Sequence, residues 1–98
     1  MSAIVIARVR VTDHERYESY KPLAKHAIET FGGRYLVRGA EPVVIEGSDP
    51  QPMRYVVLEF DSVDTVRRFY DSPEYRKARD ARAGAAFAEI TALQGVDI

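Results

Sequence analysis

A chain of 98 residues has room for one domain and one core, and 46% hydrophobic against 30% charged residues fits a packed globule, not a disordered segment. The absence of cysteine excludes thiol catalysis, iron–sulfur ligation, thiolate zinc sites and disulfide staples. Fourteen Lys and Arg against fifteen Asp and Glu leave a net charge of −1, which gives no general pull toward nucleic acid or an anionic membrane.

Residues 3–11 (AIVIARVRV) read as the first strand, with Ala3, Val5, Ala7, Val9 and Val11 on one face and Ile4, Ile6, Arg8 and Arg10 on the other. The opening apolar run is too short, and too soon followed by Arg8, for a signal peptide or a membrane span, so a cytoplasmic protein is expected. Thr12 or Asp13 can cap a first helix running to about Phe31, with Tyr17, Tyr20, Ala24, Ala27, Ile28 and Phe31 on one stripe. Pro22 inside that pattern predicts a kink or a late start. Gly32 or Gly33 ends the helix.

A second strand covers 34–38, and 42–46 continues it past a break at Gly39; 47–52 is the most loop-like stretch. The third strand covers 53–60, with Val56, Leu58 and Phe60 opposed to Tyr55, Val57 and Glu59. Asp61 or Ser62 caps a second helix with stripe Val63, Val66, Phe69 and Tyr70, and Ser72-Pro73 restarts it toward Gly84. The last strand, 86–93, sets Ala88, Ile90 and Ala92 against Phe87, Glu89, Thr91 and Leu93.

The order β-α-β-β-α-β predicts an α+β, ferredoxin-like sandwich over residues 1–98, a four-stranded antiparallel sheet with helices on one face. Its other face carries Ile4, Ile6, Val57, Phe87 and Leu93, more apolar surface than a soluble protein leaves wet. A second copy is therefore expected to cover it, giving a homodimer. A small chain without disulfides points the same way.

The stretch "GGRYLVRG" (32–39) resembles an anion-binding loop at first sight. A phosphate cradle, however, follows a strand and opens a helix, whereas these glycines close a helix and open a strand. Arg34 and Arg38, an even number of residues apart on one strand, are expected on one face. Arg8 on the mixed sheet face has Tyr55 and Glu59 to one side and Glu89 and Thr91 to the other. Two readings stay open: an ion-pair network that fixes dimer register, or a polar pocket for an anionic or oxygenated small molecule.

Arg82 falls on the face of Tyr75 and Ala78, which should be buried. Snorkelling or pairing with Glu46 or Glu59 is the plainer expectation, ligand binding the sharper one. Tyr17, Tyr20, Tyr70 and Tyr75 have the spacing of core aromatics with hydroxyls reaching the surface, and can also line a cleft. His26 points to solvent and His14 starts the first helix; neither belongs to a ligand set, so no metal and no cofactor is expected. There is no Ser-His-Asp set, P-loop or dinucleotide fingerprint.

The segments "VIARVRVTD", "YESYKPLA", "FGGRYLVRG", "VVLEF", "FYDSPEYRKAR" and "RAGAA" span nearly the whole chain. In them the chain resembles the domain of unknown function 1330 family, small and mostly bacterial proteins. The resemblance implies the dimeric α+β barrel fold. That superfamily also holds cofactor-free monooxygenases, haem-degrading enzymes, muconolactone-isomerase-like proteins and stress-response proteins, so it implies no single chemistry.

Two functions follow from the residues. One is a dimeric binder of a small anionic or oxygenated organic molecule, with cofactor-free enzyme activity as its extension. Its pocket between helices and sheet would use Arg8, Tyr20, Arg34, Arg38, Glu59, Tyr70 and Arg82, with Glu59 and Tyr20 as the candidate catalytic groups. The other is a noncatalytic, stress-associated or structural dimer whose Arg–Glu pairs only specify assembly. RNA binding on the sheet fits poorly, because dimerisation would close that face. The expected partners are a second copy and a small molecule, with no nucleic acid and no membrane.

Overall fold

The structure is a computed structural model and describes residues 2–49 and 52–96. Four strands, β1 (Ala3–Val11), β2 (Arg34–Ala40), β3 (Arg54–Phe60) and β4 (Ala86–Gln94), form one antiparallel sheet in the order β2-β3-β1-β4. Alternation along β1 decides its layers: Ala3, Val5, Ala7 and Val9 are buried beneath the helices, while Ile4, Ile6 and Arg8 stay partly exposed on the open face. Register extends this to the neighbours. Val5 lies opposite Leu58 and Ala92 on the covered side, and Ile6 opposite Val57 and Thr91 on the open side.

The helices come as two broken pairs. Asp13 accepts a hydrogen bond from the Arg16 amide at 3.1 Å and starts α1 (His14–Glu18). The break expected near Pro22 falls at Ser19, and α2 (Tyr20–Thr30) restarts there. Pro22 then lies in the first turn of α2, where a missing N–H removes no helical bond. Gly32 (φ +74°) closes α2: the Gly33 amide donates to the Ile28 carbonyl at 2.8 Å and the Gly32 amide to Glu29 at 3.0 Å.

Ser62 caps α3 (Val63–Asp71). Buried Ser72 caps α4 (Pro73–Arg82), accepting from the Tyr75 amide and donating to the Phe69 carbonyl, so one hydroxyl joins the two helices. Between helices and sheet, Phe60, Phe69, Tyr75, Ile28 and Val66 form the core.

Two features of the second strand differ from the sequence reading. Residues 42–46 do not continue it; they run as an irregular segment with Val43 83% and Ile45 91% exposed. Pro42 has no amide to donate, and β3 begins only at Arg54, leaving no neighbour to pair with. Pro50 and Gln51 of the expected loop lie outside the described residues.

The second difference is register. Tyr35 pairs with Leu58 but Val37 with Val57, and Arg38 pairs with Val56 but Ala40 with Tyr55. Leu36 and Gly39 (φ +80°) are thus extra residues on the β2 side. One extra residue inverts the facing of everything beyond it. Arg34 therefore sits opposite Glu59 on the open face, and Arg38 opposite Val56 on the covered face.

Gly33 is the tightest joint. A Cβ there would stand 2.6 Å from the Phe60 ring and 3.0 Å from Ile28. Gly33→Ala is expected to cost about 1–3 kcal/mol in urea unfolding.

Candidate functional site

Small side chains on the sheet leave the helix layer standing off it. Ala7, Val9 and Ala88 below and Ala24 above border a cavity of about 620 Å³ between the layers. Its walls are mainly apolar, with Val5, Val56, Leu58, Ile28 and Ile90 among them. Tyr17, Tyr20, Tyr35 and Tyr75 bring phenols to this space, and Arg38 and Arg82 bring guanidiniums.

The tyrosines form a connected group. The Tyr20 and Tyr75 hydroxyls share a hydrogen bond of 2.8 Å that ties α2 to α4. Tyr17 packs on Tyr20 with ring centroids 5.0 Å apart, and Tyr75 packs on Phe69 at 4.4 Å. Arg82, in the last turn of α4, lies over the Tyr20 ring at 5.4 Å. The negative end of the helix dipole favours a cation there. Arg38, from the opposite layer, lies over the Tyr35 ring at 4.5 Å.

Burial, then the charge of and hydrogen bond to Tyr75, push the Tyr20 pKa far above the ordinary phenol value; Arg82 opposes this but loses. Burial also raises Tyr17 against Arg82, and raises Tyr35 against Arg38. Burial works against the charge on Arg82, but Tyr75, Tyr20 and Tyr17 outweigh it and hold the guanidinium pKa above its usual value. The site thus offers neutral O–H donors and a fixed positive charge. Arg82 Nε is buried with no hydrogen-bond partner among the described residues.

The seven candidate residues divide between the two sides of the sheet. Tyr20, Arg38 and Arg82 meet at the cavity. Arg34 and Glu59 bond to one another on the open face, Arg34 Nε donating to Glu59 Oε1 at 2.7 Å. Arg8 lies on that face too, 3.6 Å from Glu89 and 3.7 Å from Asp49. Tyr70 is on the outside of α3, where Arg79 covers its ring at 4.2 Å and donates to its carbonyl.

Glu59 therefore cannot share a bound molecule with Tyr20, since the sheet separates them. The carboxylate pairing expected for Arg82 is also absent among the described residues: Glu59 is across the sheet and Glu46 is in the exposed segment. Nor do the Tyr20 and Tyr75 hydroxyls run outward; they meet each other.

Tyr17, Lys21, Tyr35, Tyr75 and Arg54 also border the cavity and lie outside the seven candidates. Tyr75 is signalled only by its place on the buried helical face, and Tyr35 by nothing in the local pattern. Arg54 is in phase with Val56, Leu58 and Phe60 on the covered face of β3. It borders the cavity and donates to the Gly39 carbonyl at 3.0 Å and to Glu41 at 3.2 Å. A second, more open hollow of about 660 Å³ beside the exposed segment shares Val9, Val11, His14 and Arg54 with it.

The family model described as "Domain of unknown function (DUF1330)" matches residues 2–96. No curated protein matches the sequence. Among solved structures, the chain is similar to a protein of unknown function from Rhodopseudomonas palustris, at 20% identity and TM-score 0.77, covering 99% of this chain and 84% of that one. It is similar to SnoaB, a cofactor-independent oxygenase from Streptomyces nogalater, at 14% identity and TM-score 0.67, with 99% and 95% covered. It is also similar to a de novo designed protein at 12% identity and TM-score 0.64, with 98% and 100% covered. At these identities the likeness is one of fold.

The raised phenols make an alkaline prediction. Above the ordinary pKa of 10.0 unfolded tyrosines lose protons that Tyr17, Tyr20 and Tyr35 keep in the fold. The native state then binds more protons, so this contribution is whole below pH 10 and is lost as the pH rises above it. For Tyr20, the most deeply buried of the three, the fall is about 1.4 kcal/mol per pH unit. Urea titrations of Tyr20→Phe above pH 10 should show a slope shallower by about that amount than the wild type.

Proposed function

Because this chain belongs to the DUF1330 family, which is named for its unknown function, we propose its role from its own site: it binds a small anionic or oxygenated organic molecule in the cavity between helices and sheet. One observation carries the reading. Arg82 holds a charge with no carboxylate partner among the described residues, beside the hydrogen-bonded Tyr20 and Tyr75, in a cavity whose other walls are mostly apolar. An oxyanion of the ligand would take Arg82 and the Tyr20–Tyr75 hydroxyls, and its apolar body would lie on Val5, Ala7 and Ile90.

The same donors suit developing charge on an enolate oxygen, which is how cofactor-free chemistry would arise here. In that reaction Tyr20 is a donor and not a base, because its proton is held so firmly. The cofactor-independent oxygenase among the structural neighbours is compatible with this extension.

The protein acts as a homodimer in this reading. Phe87 and Leu93, 59% and 49% exposed, join Ile4, Ile6 and Val57 on the open face, and a second copy would cover them. The Arg34–Glu59 and Arg8–Glu89 pairs on that face favour the assembly role as a second reading. Since those pairs lie across the sheet from Arg82, the two roles are separable.

Thermal unfolding with a panel of small organic acids and phenols separates them. A ligand at a hundredfold its Kd adds about 2.7 kcal/mol, a Tm rise of at least roughly 10 °C for a domain this size. The rise should vanish in Arg82→Met and persist in Arg8→Met. A rise that survives Arg82→Met, or no rise with any compound, contradicts the binding role. Light scattering should give twice the chain mass of 11.1 kDa. Phe87→Asp combined with Leu93→Asp should halve that value, and a monomeric wild type would contradict the dimer.

A further inference from the structure

We propose that the bound molecule carries two separated oxyanions, one for Arg82 and a second for Arg38, joined by an apolar body; this deepens, and rests on, the one-oxyanion reading of the same cavity. Positive charge on the cavity wall exceeds negative charge. Four cationic side chains border the cavity, Lys21, Arg38, Arg54 and Arg82, against one carboxylate, Glu18. Lys21 is matched by Glu18 at 2.9 Å, and Arg54 by Glu41 at 3.2 Å. Arg38 and Arg82 have no carboxylate partner among the described residues; each rests on a tyrosine ring, Arg38 on Tyr35 and Arg82 on Tyr20.

A ring face attracts a guanidinium but leaves its charge intact. The result is two uncompensated positive charges around a mostly apolar space, in a chain whose net charge is −1. A space with low-dielectric walls concentrates that field and draws in anions.

The charges belong to different layers. Arg82 ends α4, in the helix layer. Arg38 is on the edge strand β2, turned to the covered face by the extra Leu36 and set opposite Val56, two residues from Arg54. Arg38 is exposed while it borders the cavity, so a monoanion held by Arg82 would leave a second cation there free to take another oxyanion. A dicarboxylate, or a carboxylate whose body also carries an enolate or phenolate oxygen, compensates both.

Calorimetric titration of the full chain with matched probes tests this: octanedioate, decanedioate and dodecanedioate against octanoate, decanoate and dodecanoate. One charged contact at the second site is worth about a tenfold gain in affinity. At least one diacid should bind about tenfold or more tighter than its monoacid. Arg38→Met should abolish that preference, bringing each diacid down to the affinity of its matched monoacid. Arg38→Lys should keep part of it, with circular dichroism confirming that both variants fold. Arg82→Met should weaken both classes.

Equal affinity for diacids and monoacids, or a preference that survives Arg38→Met, overturns the second oxyanion. If that equal binding is still lost in Arg82→Met, the one-oxyanion reading stands alone. No binding by any of the probes overturns both.

Discussion

The hydrogen bond between the Tyr20 and Tyr75 hydroxyls is the interaction on which the rest of the arrangement depends. It joins α2 to α4 above the region where the sheet offers small side chains, Ala7, Val9 and Ala88. Elsewhere the layers meet through Phe60, Phe69 and Ile28 and close a conventional core. Near the tyrosines the filling stops and a cavity takes its place. A buried hydroxyl must find a partner, and these two find each other, so the helices are held apart from the sheet without leaving a phenol unsatisfied. The same burial keeps Tyr20 protonated and places a charged Arg82 over its ring.

The sheet separates two chemistries. On the covered side are phenols, Arg38 and Arg82 around an apolar space. On the open side Arg34 pairs with Glu59 and Arg8 with Glu89 and Asp49, while Arg10 lies over the Phe87 ring. The first side combines unmatched charge with phenol donors around one volume that could receive a molecule. The second combines matched pairs with Phe87, Leu93 and other apolar groups, the composition of a surface that another copy would cover. The proposed binding and the proposed assembly would thus use opposite faces of one sheet.

Most of the fold was legible because two periodicities run cleanly through it. Alternation in β1, β3 and β4 gave the correct faces for Val5, Leu58, Ile90 and Phe87, and the helical stripes through Ala24 and Phe69 gave the covered layer. Caps at Asp13, Ser62 and Ser72 follow from side chains that can accept a bond from the helix start. The site was less legible because register and long-range contacts leave little local trace. Strand parity puts Arg34 and Arg38 together, and one extra residue, Leu36, separates them. No local residue type announces that bulge. Val43, Val44 and Ile45 have strand composition, being β-branched and apolar, yet find no neighbouring strand to pair with. The Tyr20–Tyr75 bond spans 55 positions, a contact that helical spacing cannot reveal.

The proposed role requires that the cavity, and Arg82 within it, hold a small organic anion. Native mass spectrometry of freshly purified wild type and Arg82→Met tests it most directly. The prediction is a small acid retained by the wild type and identified after denaturing release, with the Arg82→Met protein bare. A wild type without added mass, or an identical added mass on both proteins, would contradict it.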